Sequence, residues 1–249
     1  MKILVTGSKG FLGKNLVSAL KNEGFEDLLE YTLESSEDDL KRYCSECDFV
    51  FHLAGVNRPK DRSEFMTGNA GLTEHLISCL IDSENTVPLC LSSSIQAGLN
   101  NDYGISKRAA EKAVFSYGLD NDVSVYVYRF PNLFGRWSMP NYNTVIATFC
   151  HNIARDLPIR IDDPEKVLPL AYVDDVTDQF IRILKTGIRL PAGEFVIFPP
   201  SLIYERKLGV IAEKLRGFKD SLSSGTEPEL KDEFDIKLYE TYRSFIPEN

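Results

Sequence analysis

Tyr103 and Lys107 stand four residues apart in Asn-Asp-Tyr-Gly-Ile-Ser-Lys. On a helix this puts a phenol and an ammonium on one face, one turn apart. A phenol is too weak an acid to act unassisted at neutral pH, and a cation beside it favours phenolate and lowers its pKa. Ser92, Ser93 and Ser94 close the preceding apolar run. A hydroxyl at the carboxyl end of a sheet strand can hold a carbonyl oxygen as negative charge grows on it. Such a set can protonate and steady a ketone oxygen while hydride reaches the carbon. A seat for a hydride carrier stands at the start of the chain. Ile3-Leu4-Val5-Thr6 runs into Gly7-Ser-Lys-Gly10-Phe-Leu-Gly13. Glycines at this spacing, between a strand and a helix, suit a dinucleotide pyrophosphate.

These groups need a scaffold that brings strand ends together, and the pattern along the chain supplies one. Apolar runs read as strands at 2–6, 27–33, 48–53, 87–91 and 123–129. Helical stretches separate them at 11–21, closed by Gly24, and at 37–47, 63–82 and 103–117. This alternation predicts an α/β fold, a Rossmann-type doubly wound parallel sheet, with a smaller C-terminal substrate-binding lobe. Residues 132–142, rich in Pro, Asn, Gly and aromatics, read as a loop over a site. Beyond it, helices are expected at 142–156, 174–185, 201–217 (Ser201 as cap) and 230–245. Strands are expected at 167–173 and 193–198, and a polar linker at 218–228.

Bulk composition excludes several classes. The 249 residues carry a net charge of −9, which argues against a duplex-binding surface. No run of 18 apolar residues exists, so no membrane span is expected. Met1 leads straight into the first strand, so no secretion signal is expected and a cytoplasmic location follows. An odd count of five cysteines, Cys44, Cys47, Cys79, Cys90 and Cys150, argues for reduced thiols. Cys44-Ser-Glu-Cys47 has metal or redox spacing but lacks a second pair, so helix-end cysteines are the reading. His52, His75 and His151 lie far apart and are expected to be structural, with no metal site.

The whole chain resembles the extended short-chain dehydrogenases/reductases, the NAD-dependent epimerase/dehydratase family. Residues 6–13 are similar to that family's cofactor turn, and His52-Leu53-Ala54-Gly55 to its segment beside the adenosine ribose. Asn69 falls where the family has a helix Asn that steadies the active site. Ser94, Tyr103 and Lys107 match its catalytic triad. Arg129-Phe-Pro131-Asn132-Leu-Phe-Gly135 resembles its strand-six segment, and Tyr172-Val-Asp174-Asp175-Val176 its later signature. The resemblance implies cofactor contacts from Gly7, Lys9, Gly10, Phe11, Leu12, Gly13, Leu53, Ala54, Gly55, Tyr103, Lys107, Arg129 and Pro131. It implies substrate contacts from Ser93, Asn132, Arg136, Trp137, Asn141, Tyr142 and Asn143. It also implies one unit over 1–249, with 1–135 and 167–198 for the cofactor and 136–166 and 199–249 for the substrate.

A narrower resemblance, to the reductase domain of the CapF family of capsular polysaccharide enzymes, rests on residues 52–59, 91–97, 131–137 and 140–150. It implies NAD(P)H-dependent reduction of the C4 ketone of a UDP-linked 2-acetamido-2,6-dideoxy-L-hexos-4-ulose, toward an N-acetyl-L-fucosamine-type sugar of capsule or O-antigen. In that family a C-terminal metal-binding cupin epimerises C3, and residue 249 falls near where it would start. A truncation and a natural reductase with a separate cupin-type epimerase are both open. Strand two ends in Glu30-Tyr-Thr-Leu-Glu34-Ser-Ser36, without the usual base for a 2′-phosphate. Lys9 is the nearest cation for it, while Glu34 suits a free ribose; NADP(H) is preferred, with NAD(H) the alternative. Only eight residues separate Ser94 from Tyr103, which leaves Ser93 and Ser94 both open as the working hydroxyl. Family helices pair as a four-helix bundle, and Phe65, Leu72, Leu76 and Leu80 form an apolar stripe, so a homodimer is expected. The alternatives are an NAD-dependent sugar-nucleotide epimerase and a non-catalytic nucleotide-binding sensor, whose usual mark is loss of the Tyr or Lys. A dehydratase is disfavoured because Ile95 and Gln96 stand where its acid/base pair would be expected.

Overall fold

The computed structural model describes residues 1–142, 144–191 and 193–247. They form two compact units, Met1–Phe130 with Thr177–Phe198, and Pro131–Val176 with Pro199–Asn249.

The first unit is a parallel sheet of β1 (Ile3–Thr6), β2 (Leu28–Tyr31), β3 (Phe49–His52), β4 (Leu89–Ser94) and β5 (Val125–Phe130), in the order 2-1-3-4-5. The strands are apolar runs because both faces are covered, as parallel sheets require. The order reverses at β1, whose neighbours are β2 and β3, and ligands of open α/β sheets bind beyond the strand ends at such a point. The helices are α1 (Phe11–Asn22), α2 (Glu37–Glu46), α3 (Ser63–Phe65), α4 (Leu72–Asp82) and α5 (Asp102–Asp120). On one face Leu76, Leu80, Ala110 and Val114 pack with Leu4, Val50, Leu89 and Leu91. On the other, Phe180 lies 5.3 Å from Phe51 and 5.5 Å from Tyr128, ring to ring. Asn101 caps α5 by accepting from the Gly104 N–H at 2.7 Å, a cap worth about 1 kcal/mol.

In the second unit β6 (Asn132–Phe134) pairs parallel with β7 (Val167–Tyr172), which pairs antiparallel with β8 (Tyr204–Lys207). Around it lie α6 (Val145–Ala154), α8 (Leu208–Ser224) and α9 (Glu233–Arg243), while α7 spans Val173–Thr186. Phe134, Phe149, Leu170, Leu215, Phe234 and Leu238 form its core.

The structure differs from the sequence expectations at five places. Residues 63–82 are helical throughout, but Met66–Gly71 is a π-helical segment, where Asn69 bonds the Val56 backbone through both ends of its amide. The expected loop at 132–142 opens with β6. Strand 193–198 is a single bridge, Val196 to Tyr128. The helix expected at 201–217 begins only at Leu208, because buried Tyr204 alternates with exposed neighbours and pairs on β7; α8 then runs on through the expected linker, since Phe218 belongs to the core. Strand 167–173, expected with the cofactor part, lies in the second sheet, where Leu170 and Tyr172 face that unit's core.

Candidate active site

The turn after β1 is built by its glycines. Gly7 sits at φ +70°, and a Cβ there would lie 2.8 Å from the Ala54 nitrogen. A Cβ on Gly13 would lie 2.1 Å from the Gly7 carbonyl oxygen, so α1 can start this close only without one. Gly10 caps α1 with no side-chain acceptor, and Phe11 and Leu12 begin its first turn, leaving backbone N–H groups for an anion. The Ser8 hydroxyl is buried in this turn without a hydrogen-bond partner. An orphaned buried donor and a glycine cradle suit a pyrophosphate, so these residues fit a dinucleotide. Ser8 was missed by sequence reasoning, although its place inside the glycine turn was the available signal.

The two residues expected to choose between cofactors bind each other. Lys9 Nζ donates to the Glu34 carboxylate, which holds that carboxyl below its ordinary range. Thr6 Oγ1 accepts from the Ala54 N–H at 3.2 Å and bonds His52 Nδ1 at 2.7 Å. The other ring nitrogen meets Thr73 Oγ1, which donates to the Asn69 carbonyl. Burial, and secondarily the Lys107 charge, push His52 down to about 3, so the ring is neutral. It is a structural strut beneath Leu53, Ala54 and Gly55, as expected. Gly55 is fixed by Asn69: a Cβ there would lie 2.6 Å from Asn69 Oδ1.

Ser94, Tyr103 and Lys107 come together at the end of β4. The Ser94 hydroxyl bonds the Tyr103 phenol, and Ser94 Oγ accepts from the Gln96 N–H at 3.2 Å. Lys107 Nζ donates to the Ser92 carbonyl at 2.8 Å. Burial lowers Lys107 to about 8, against which Glu111 pulls upward. Tyr103 departs from the expected downward shift: burial raises its pKa and the Ser94 bond offsets only part. The Phe65 ring, 5.6 Å away, contributes to that apolar setting.

Two expected contacts are otherwise engaged. Ser93 Oγ donates to Glu111 Oε1 at 2.5 Å, so of the two serines it is Ser94 that meets the tyrosine. Arg129 grips Glu111 through Nε at 2.9 Å and Nη2 at 2.6 Å, with Phe195 under its guanidinium at 4.2 Å. Its Nε and Nη2 are therefore taken up within the protein. The apolar stripe on 63–82 is engaged as well: Leu76 and Leu80 are buried in their own core.

In the second unit, Pro131 precedes β6, and Asn132 Nδ2 donates to the Pro169 carbonyl at 3.1 Å. Arg136 stacks on Trp137 at 4.8 Å and lies 3.6 Å from the Asp174 carboxylate. Trp137 and Asn141 hold positive φ, 64° and 58°, which is costly for residues with a Cβ. Trp137 stays 46% and Tyr142 40% exposed. Asn143 lies outside the described residues.

Among the described residues one trio of potential metal ligands, Glu37, His75 and Cys79, gathers within 4.8 Å. His75 Nε2 lies 2.9 Å from Glu37 Oε2, and Lys41 stands 3.9 Å from the same carboxylate. The arrangement accounts for itself as a hydrogen bond joining α2 to α4. Cys44 and Cys47 are buried and free, and burial pushes the Cys47 thiol up to about 12, away from ligand or nucleophile character.

Comparison with known proteins shows the family and the fold. The model of the NAD dependent epimerase/dehydratase family matches residues 3–197. A Pseudomonas aeruginosa UDP-2-acetamido-2,6-beta-L-arabino-hexul-4-ose reductase is 42% identical over all 249 residues, which span 66% of it. The capsular polysaccharide assembling protein CapF of Staphylococcus aureus superposes with TM-score 0.88 at 39% identity over 99% of this chain and 66% of that one. A GDP-6-deoxy-D-talose 4-dehydrogenase of Aggregatibacter actinomycetemcomitans is 26% identical, covering 74% of this chain and 70% of its own. The chain thus spans just under two thirds of the length of the first two relatives.

Proposed function

The chain belongs to the NAD dependent epimerase/dehydratase family, and from that premise we propose that it is an NAD(P)H-dependent reductase of the C4 ketone in a UDP-linked 2-acetamido-2,6-dideoxy-L-hexos-4-ulose. The observation that carries the reading is the Ser94–Tyr103 bond with Lys107 one turn along α5, at the end of β4. The substrate class is supported by the Pseudomonas reductase at 42% identity.

A nicotinamide, when bound, supplies hydride to C4. Tyr103 gives its proton to O4, so the ketone becomes an alcohol and the tyrosine a phenolate. Ser94 holds O4 while charge develops there. Lys107, as a cation, steadies the phenolate and would hold the nicotinamide ribose. Ser8, the glycine turn and the first turn of α1 would hold the pyrophosphate. Trp137, Tyr142 and Arg136 are proposed for the UDP-sugar, Trp137 and Tyr142 by stacking.

NADP(H) is the preferred cofactor, through Lys9 on the 2′-phosphate; Glu34, released from Lys9, admits NAD(H). We read the part carrying β1–β5 as cofactor-binding and the part carrying β6–β8 as substrate-binding. The five free, buried thiols suit a reducing cytoplasm, and no helix among the described residues is long and apolar enough to cross a membrane. A homodimer remains proposed, with exposed Met66 and Ile105 as its apolar contacts, and sedimentation at micromolar concentration tests it. The activity is tested with a panel of UDP-4-keto sugars and NADPH or NADH. Stoichiometric cofactor oxidation with one sugar supports it; tightly co-purifying NAD with no net oxidation supports an epimerase instead.

A further inference from the structure

Tyr103, Lys107 and Glu111 follow one another at four-residue steps on one face of α5. Glu111 is only 3% exposed, and its side-chain hydrogen bonds run to the strands that carry the site. Ser93 of β4 donates to Oε1, and Arg129 of β5 binds both oxygens. Ser93 and Arg129 are register partners across β4 and β5, so one carboxylate bridges both strands to one helix. This fixes the rotation of α5 and its slide along the sheet. Those two quantities decide whether Lys107 meets the Ser92 carbonyl and Tyr103 meets Ser94. Phe195 closes the far side of the Arg129 guanidinium, with Phe115 edge-on to it at 5.1 Å.

Charge is the second consequence. An ammonium buried as Lys107 is tends to lose its proton, and the groups that face it settle the matter. They are Tyr103 and Glu111 on its own helix, His52 on β3, and Arg129 on β5 acting through Glu111. Tyr103 carries a protonated phenol in the resting state and His52 is neutral, so among the described residues Glu111 is the negative charge opposed to that loss. Arg129 tempers it.

We propose that Glu111, clamped by Ser93 and Arg129, is the positioning residue of the active-site helix and keeps Lys107 in its cationic form for catalysis. The proposal rests on the reductase reading for its catalytic meaning, but its physical content is independent of the substrate. Glu111 is buried with its carboxylate bound to Ser93 and Arg129, so it acts through Lys107 and Tyr103.

The test titrates Lys107 directly in the full chain, by NMR of ¹³Cε-labelled lysine, assigned with Lys107→Met. In Glu111→Gln the Lys107 midpoint should fall by about one pH unit, the scale of a neighbouring charge removed from a buried site. In Arg129→Gln, which leaves the carboxylate uncompensated, it should rise. Glu111→Asp keeps the charge and should stay near wild type while losing turnover through misplacement. The basic limb of the kcat/KM profile should move in the same directions as the midpoints. A purely structural salt bridge would lower activity in both variants without opposite shifts, and that result would overturn the proposal. If Glu111→Gln fails to fold by circular dichroism, the sign of the Arg129→Gln shift decides. Opposite shifts in a protein that reduces no 4-keto sugar would uphold the network and refute the reductase reading. Turnover in the wild type with unshifted midpoints would do the reverse.

Discussion

Replacing Lys107 by Met should stabilise the fold at neutral pH while abolishing turnover. Burial brings this lysine from its ordinary 10.5 to about 8. At 1.36 kcal/mol per pKa unit, keeping it charged costs the folded state about 3 kcal/mol at pH 7. Met fills similar volume without that penalty, but the bond to the Ser92 carbonyl is lost, at about 1–2 kcal/mol. The net expectation is a gain of about 1–2 kcal/mol at pH 7. The pH dependence is the sharper part. Below about 8 both folded and unfolded lysine are protonated and the penalty is complete. Between about 8 and 10.5 the unfolded chain binds more protons than the folded one, so this group's contribution to stability rises with pH. Wild type should therefore gain about 3 kcal/mol relative to Lys107→Met between pH 7 and 10.5, read by urea denaturation with m-values checked for two-state behaviour. A pH-independent difference between the two proteins would refute the claim that a buried cation is held under the site. Activity should move oppositely, falling as the cation is lost.

Tyr103→Phe removes the proton donor and should lower kcat by roughly two or more decades with cofactor binding intact; a variant at half the wild-type rate would dismiss the tyrosine as the acid. Glu34→Gln frees Lys9 and should tighten NADPH and weaken NADH, whereas Lys9→Ala should do the opposite; parallel changes in both affinities would remove the pair from cofactor choice. Gly7→Ala forces a Cβ to within 2.8 Å of the Ala54 nitrogen at a positive φ, and should cost about 2–4 kcal/mol together with most cofactor affinity, measured by denaturation and by NADPH titration.

The cofactor turn and the Tyr103/Lys107 pair were legible because their chemistry is encoded locally, in glycine spacing and in helix periodicity. The five strands of the first sheet were legible for the same reason, as apolar runs separated by helices. What could not be read depends on partners distant in the chain. Glu111 looks like any surface acid on α5 until Ser93 and Arg129 are seen beside it. Lys9 and Glu34, 25 residues apart, were expected to act separately and instead bind each other. The second sheet was missed because β6 and β8 are short and β8 mixes Tyr204 with charged residues, so pairing with β7, not propensity, makes them strands. The direction of the Tyr103 shift was misjudged because spacing reveals the neighbouring cation but not the depth of burial.

The most direct test of the proposed chemistry follows a labelled hydride. NADPH carrying deuterium at the transferred C4 position is incubated with the chain and the UDP-linked 4-ketose, and the sugar is examined by NMR. The reductase account predicts one deuterium at sugar C4 for each cofactor oxidised, appearing roughly two or more decades more slowly in Tyr103→Phe. A sugar turned over without deuterium at C4, or with the cofactor left reduced, would contradict it.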